Sequence, residues 1–332
     1  LSIGGGLNNL FDLTPGPILW LFIAAAIVGT FVVSSISGVT KGIRILSDIN
    51  TKIFFGILAF LVIVGPTAYC ISLGVQGVGD LFNNFFQKSL FTGTAGGDTW
   101  PQWWTCFYWA ADIAWTPLIA VFLGQISVGY RVRDFMLTCF ILPSIFEIFW
   151  MTIFGGNAIY LELVKNAGLA EIVNTQGAEA AAYFVFQNLP LASIVIPVFV
   201  ITMFISFVTA ADSMTTAMSG LCSTGISPES PEAKKWVKIV WGLIMGTVAW
   251  IMMTYRGLDG IKMVNTFGGF PAVILEILIG VSLLKFLRNP KKYDTFKEQY
   301  DSNNQVWFWQ CSPCQNHTIY LFNSGFLIFF LT

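Results

Sequence analysis

The chain has 332 residues, of which 55% are hydrophobic, 16% aromatic and only 11% charged. A soluble domain carries about 25% charged residues, so charge this sparse cannot solvate a globule of this size, and the bilayer is the natural solvent. A net charge of −1 offers nothing to attract nucleic acid.

The chain opens on Leu1-Ser2-Ile3 and Gly4-Gly5-Gly6, with no initiator Met and no signal peptide before the first apolar run. The expectation is that residues upstream are missing and that 1–12 are the tail of a span. A membrane crossing needs about 20 apolar residues. Seven full stretches qualify, near 17–38, 53–74, 102–125, 135–155, 192–220, 236–254 and 267–287. Residues 78–92 read as a short aromatic segment lying along the interface. Trp100, Trp103 and Trp104 stand where an aromatic belt would open the third span.

Basic residues set the predicted orientation. Thirteen of the seventeen Lys and Arg fall on one side: Lys41, Arg44 and Lys52, Arg131 and Arg133, Lys234, Lys235 and Lys238, and the run from Lys285 to Lys297. The positive-inside rule puts that side, with the Lys285–Lys297 tail, in the cytoplasm. The membrane-embedded core is thus expected over 1–287 and a cytoplasmic tail over 288–305. Residues 306–332 form an apolar-ended segment that reads either as an anchor or as an artefact, and no function is assigned to it.

Polar groups inside spans are costly and are functional candidates by default. Asp112, Glu147, Asp212 and Glu276 qualify. On the third span, at about 100° per residue, Trp104, Tyr108, Asp112 and Trp115 fall within about 80° of one another. Aromatic faces attract quaternary ammonium through the ring quadrupole, and a carboxylate adds countercharge. Together they describe a cavity for an organic cation or zwitterion. The competing reading is an interfacial belt with ordinary helix packing, which fits Trp104 best. On the fifth span, Thr209, Asp212, Ser213 and Thr216 share a face within about 100°. Hydroxyls and a carboxylate so grouped suit a hard cation or a proton relay, or a helix–helix contact through small polar residues. Glu276 is expected to pair with a neighbouring helix. Gly4-Gly5-Gly6, Pro117 and Pro197 are candidate helix breaks, which in transporters free backbone for ions and substrate.

Other chemistry finds little support. Cys70, Cys106, Cys139 and Cys222 lie in apolar stretches and read as reduced packing residues. Cys311, Cys314 and His317 offer three ligands where structural zinc takes four, so no metal is expected. His317 is the one histidine, and Cys106 has no base nearby in sequence; the chain does not read as an enzyme.

Four stretches match one known family in order. Phe107-Tyr108-Trp109-Ala110, then Trp115, Ile126-Ser127, Gly129 and Arg131 look like its most recognisable segment, the eighth span and following loop. The segment Ser35-Ile36-Ser37-Gly38-Val39-Thr40-Lys41-Gly42-Ile43 is similar to the end of the sixth span, and Phe154-Gly155-Gly156 to the end of the ninth. Thr209-Ala210-Ala211-Asp212-Ser213 is similar to the Thr-Ser-Ala-Asp-Ser of the tenth. Over roughly 1–287 the chain resembles the betaine/choline/carnitine transporter family, starting within the fifth of twelve spans. The resemblance implies an all-α membrane protein with a LeuT-like inverted-repeat fold. It also implies secondary uptake of a trimethylammonium-type compound by alternating access, in a plasma-membrane homotrimer. Carried over by position, Trp115 is one wall of the aromatic substrate box and Thr209 a ligand of the second sodium site. Departures are marked. Ala111 and Asp112 replace two box tryptophans, which widens the site, adds a negative charge and favours a substrate with an N–H donor or an uncompensated cation. Ala210 replaces the coupling serine, and Ser206 replaces a phenylalanine and could restore a hydroxyl, so Na+, H+ or exchange all remain open. Gln125 and Val128 replace loop arginines. The alternatives are a porter for another amine or amino-acid zwitterion, and a membrane sensor that binds such a ligand without moving it.

Overall fold

A computed structural model describes residues 1–37, 40–127, 130, 132–224, 233–289 and 292. The predicted segment 306–332, with Cys311, Cys314 and His317, lies outside the described residues, as do Val128, Gly129, Arg131, Lys291 and Lys297. Every regular element among the described residues is helical. Six helical stretches are long and apolar enough to cross a membrane: Ile45–Val64, Trp100–Gly124, Val132–Leu163, Ala192–Leu221, Lys235–Gly257 and Lys262–Arg288. The protein is a multi-pass membrane protein.

The chain opens with α1 (Ser2–Phe11) and α2 (Pro17–Ser37), whose described apolar part is Pro17–Val33. Gly4-Gly5-Gly6 is not a break: α1 is helical throughout, and its glycines serve close packing. A Cβ at Gly6 would stand 2.3 Å from Val200 and 2.7 Å from the Tyr183 hydroxyl, which itself donates to the Ser2 carbonyl at 2.5 Å.

The predicted span 53–74 is corrected to Ile45–Val64, within α3 (Thr40–Val64). The apolar run continues past residue 64, but Pro66 has no N–H for the Val62 carbonyl and ends the helix. The Thr67 hydroxyl donates to that carbonyl in its place. Gly65 is required at the corner, since a Cβ there would lie 2.6 Å from the Asn157 side chain. The chain restarts as α4 (Thr67–Ser89), which absorbs most of the predicted interfacial segment. Cys70 and Gly74, one turn apart, press on Gly156 and Thr152. Beyond Gly74, α4 leaves the bundle and exposes Val75, Val78, Phe82 and Phe86.

A short 3₁₀ turn (Thr94–Gly96) leads to α5 (Trp100–Ile126), which stays helical through Pro117. Residues 132–163 form one rod of α6 (Val132–Met136), α7 (Leu142–Trp150) and α8 (Gly156–Leu163), joined by π-helical turns at Leu137–Ile141 and Met151–Gly155. The first π turn ends two residues before Pro143, which cannot donate to the Cys139 carbonyl and widens the ladder. Two short helices, α9 (Leu169–Gln176) and α10 (Ala180–Gln187), connect to α11 (Ala192–Leu221), which is continuous through Pro197. The last element, α12 (Lys235–Arg288), bends at Gly257, where φ 58° and ψ −142° suit glycine alone. Thus neither Pro117 nor Pro197 breaks its helix; the interruptions fall at Gly65-Pro66 and Gly257.

The core lies between α3, α7, α10 and α11. Trp150 stacks on Phe154 at 5.4 Å and meets the edge of Phe54 at 5.5 Å, while Phe186 packs on Phe199 at 5.0 Å. Lipid tails give no hydrophobic drive between helices, so such aromatic packing and the small-residue contacts hold the bundle.

Candidate functional site

Helix α5 packs on α12 and α11. Its contact face is set by alanine and glycine. A Cβ at Gly269 would stand 2.8 Å from the Ala110 Cα, and one at Gly268 would stand 3.6 Å from the Ala114 Cβ. Tyr108, Asp112 and Trp115 lie about 100–160° around the helix from Ala110 and Ala114, Trp115 nearest to them. The predicted substrate stripe therefore faces away from α12. Tyr108 is 56% exposed and Trp104 46%, while Ala111, Asp112 and Trp115 are half-buried. The Asp112 carboxylate forms no ion pair with any described residue. Its backbone carbonyl accepts the Thr116 hydroxyl at 2.8 Å. Nearer the start of α5, Trp104 belongs with Trp100 and Phe107 rather than with the stripe, at centroid distances of 5.8 and 6.0 Å. Lys262 from α12 sits 5.9 Å above Trp104 and 5.5 Å above Phe107, two cation–π contacts that tie the helices at that end.

The second candidate set is a polar seam along α11. Ser206, Thr209, Ala210 and Asp212 are buried and Ser213 half-buried. Each hydroxyl bonds back along the helix: Ser206 to the Thr202 carbonyl at 2.9 Å, Thr209 to those of Ile205 and Ser206 at 2.9 Å each, and Ser213 to that of Thr209 at 2.9 Å. Thr215 and Thr216 both donate to the Asp212 carbonyl, at 3.0 and 2.7 Å. A hydroxyl that donates to backbone keeps oxygen lone pairs for a cation or a donor.

Two residues of this seam were not expected. Asn50 of α3, 1% exposed, donates to the Ser206 Oγ at 2.8 Å, and its own Oδ1 has no hydrogen-bond partner among the described residues. Lys238 of α12 places its Nζ 2.5 Å from Asp212 Oδ1. Both signals were in the sequence. Lys238 falls inside the predicted span 236–254, where a lysine calls for a partner. Asn50 falls inside the true third helix but three residues before the predicted span.

The remaining intramembrane acids join neither set. Glu147 is half-buried on α7. Glu276 Oε1 is buried with no hydrogen-bond partner among the described residues, so the expected pairing with a neighbouring helix is not seen for that oxygen.

A protein-family model described as betaine/carnitine/choline family transporter matches residues 1–292. The chain is 32% identical over 299 residues to an ectoine/hydroxyectoine transporter of Virgibacillus pantothenticus, covering 90% of this chain and 59% of that protein. It is 34% identical over 276 residues to a betaine/ectoine transporter of Corynebacterium glutamicum, covering 81% of this chain and 42% of that protein. Over 289 residues it is 28% identical to a high-affinity choline transport protein of Escherichia coli, at 87% and 42% coverage. The chain thus spans about half the length of the curated relatives it matches.

Proposed function

The chain belongs to the betaine/carnitine/choline transporter family, and from that premise we propose that the protein serves secondary active uptake of quaternary-ammonium compounds and related small zwitterions. Members of this family are transporters, not enzymes. In this reading the fold is the LeuT-like inverted repeat, and substrate sits near the bilayer midplane against Tyr108, Ala111, Asp112 and Trp115 during alternating access. The protein works in the plasma membrane as a homotrimer in contact with lipid, with the Lys285–Lys297 end in the cytoplasm. Na+ or H+ is the coupling ion, and the seam of Ser206, Thr209, Ala210, Asp212 and Ser213 is where coupling acts.

The observation that carries the reading is the α5 stripe. A carboxylate without an ion-pair partner among the described residues lies on the same helix face as a phenol and an indole, on the side that α12 leaves uncovered. The aromatic faces supply roughly 0.5–2 kcal/mol each to an organic cation. The carboxylate adds a charge-assisted hydrogen bond when the substrate carries an N–H, worth about 1.5–3 kcal/mol. A fully methylated ammonium cannot use that acceptor. Ectoine, the cargo named for two of the relatives, is a cyclic amidine with ring N–H groups and can.

Uptake of labelled betaine, choline and ectoine by cells expressing the protein tests this. Asp112→Asn is expected to lower uptake of an N–H-bearing cation by about 10-fold or more. Tyr108→Phe keeps the ring face and lowers it by less than about 3-fold. Equal uptake by wild type and Asp112→Asn would refute the assignment. Binding without net movement into vesicles would instead favour a sensor.

A further inference from the structure

Two polar stripes meet where α3 packs on α11. Ser47, Asn50 and Thr51 fall within about 100° of one another on α3, and Thr202, Ser206 and Thr209 within about 60° on α11. All six residues are buried, and both stripes lie inside apolar spans, Ile45–Val64 and Ala192–Leu221. The hydroxyls spend their protons on their own helices. Thr51 donates to the Ser47 carbonyl at 3.0 Å, Thr202 to that of Val198 at 2.7 Å, Ser206 to that of Thr202 at 2.9 Å and Thr209 to that of Ile205 at 2.9 Å. Toward the opposite helix these four offer lone pairs and no proton. The Asn50 N–H crosses the contact to Ser206 Oγ at 2.8 Å, and Asn50 Oδ1 has no hydrogen-bond partner among the described residues. Turning the carboxamide over does not cure this. The Ser206 proton is committed to the Thr202 carbonyl, and Nδ2 would then be the stranded atom.

We propose that the α3–α11 contact binds one buried water, held by Asn50 Oδ1 and shared with an oxygen of the α11 stripe. A buried amide oxygen without a donor is costly, and proteins meet such needs with ordered water that makes two to four hydrogen bonds. The contact is rich in acceptors and short of protons, and water brings two. A bare cation would suit the lone pairs but not the charge. The six side chains carry no formal charge. Asp48 lies two residues before Asn50, about 160° around α3, and pairs with Lys52 at the exposed surface. Asp212 lies six residues beyond Ser206, about 120° around α11 and 9 Å along it. An ion at Oδ1 would thus sit without a countercharge in a medium that penalises it. Under the transport reading above, this water places solvent inside the coupling seam beside Thr209; the water itself stands without that reading.

An experimental structure of the purified protein in lipid nanodiscs, at a resolution that shows ordered water, tests the site. Wild type is expected to show one density at hydrogen-bonding distance from Asn50 Oδ1 and from a second oxygen of α11, and Asn50→Leu should lack it. A protein donor on Oδ1, or no density there while other buried waters are resolved, would overturn the proposal. Thermal unfolding in NaCl, KCl and N-methyl-D-glucamine chloride at constant ionic strength separates water from a cation. Wild type should melt at one midpoint in all three as far as this site is concerned, and a saturable response to Na+ or K+ that Asn50→Leu abolishes would refute water. Ser206→Ala strands the Asn50 N–H as well and should lower the midpoint by roughly 2–6 °C. Adding Asn50→Leu removes both stranded atoms and should recover most of that loss; a double variant no more stable than Ser206→Ala would count against the contact. Where Asn50→Leu does not survive purification, the wild-type density decides alone. Uptake enters none of these readouts, so failure of the transport reading leaves them unchanged.

Discussion

Gly269 is where the α5–α12 contact can be measured. A methyl group built there would sit 2.8 Å from the Ala110 Cα, 2.8 Å from its carbonyl oxygen and 2.9 Å from its Cβ. Carbon atoms pack best at about 3.5–4.0 Å, and two of these neighbours are backbone, which no rotamer change can move aside. Gly269→Ala must therefore push the helices apart locally by several tenths of an ångström or more. Overpacking of this kind costs about 1–3 kcal/mol. Alanine also raises helix propensity by about 1 kcal/mol over glycine, which would hide part of the loss. Gly280 on the same helix removes that ambiguity, because a Cβ there meets nothing within 4 Å. The difference between Gly269→Ala and Gly280→Ala isolates the contact at about 1–3 kcal/mol. Gly268→Ala, whose nearest neighbour would be 3.6 Å away, should fall close to Gly280→Ala. Equilibrium unfolding in mixed detergent micelles, followed by circular dichroism, gives all three values. If Gly269→Ala and Gly280→Ala match within about 0.5 kcal/mol, the close approach of α5 and α12 is wrong, and so is the face assigned to Tyr108 and Asp112.

Two other substitutions probe the ends of the bundle. Tyr183→Phe removes the hydroxyl that donates to the Ser2 carbonyl and should cost about 1–2 kcal/mol, with faster amide exchange in α1; Tyr255→Phe, at an exposed site, should change neither. On α4, hydrogen bonds from Lys88 and Asn84 hold the Asp80 carboxyl below its ordinary value. A depressed carboxylate contributes stability that is present above the ordinary carboxylate range and lost as pH falls through the lowered value. The protection factor for amide exchange across 80–88, which removes the intrinsic pH dependence of exchange, should therefore fall on acidification below that range, and Asp80→Asn should flatten the dependence; a wild-type protection factor that does not change with pH would contradict the contact.

The spans were legible because about 20 apolar residues can hardly do anything but cross a bilayer. The corner at Gly65-Pro66 was not, since hydropathy runs unbroken over it and only the missing proline N–H marks it. Gly4-Gly5-Gly6 looked like a break, yet those glycines are small so that Val200 and Tyr183 can approach. Helical spacing put Tyr108, Asp112 and Trp115 on one face of α5, which is a continuous helix over Trp100–Ile126. It could not say which side of α5 is taken up by α12, because the answer lies in Gly268 and Gly269, about 155 residues away. Lys238 was counted as a marker of orientation, and its partner in α11 emerged only when the helices were brought together.

The bend in α12 has a mechanical meaning. One half of that helix grips Asp212 through Lys238, and the other braces the back of α5 through Gly269. Gly257 alone, in a backbone state closed to other residues, stands between the two grips. The polar seam of α11 and the contact face of α5 are thus joined in series through a single swivel, and a side chain placed at residue 257 would reset the angle between them without touching either.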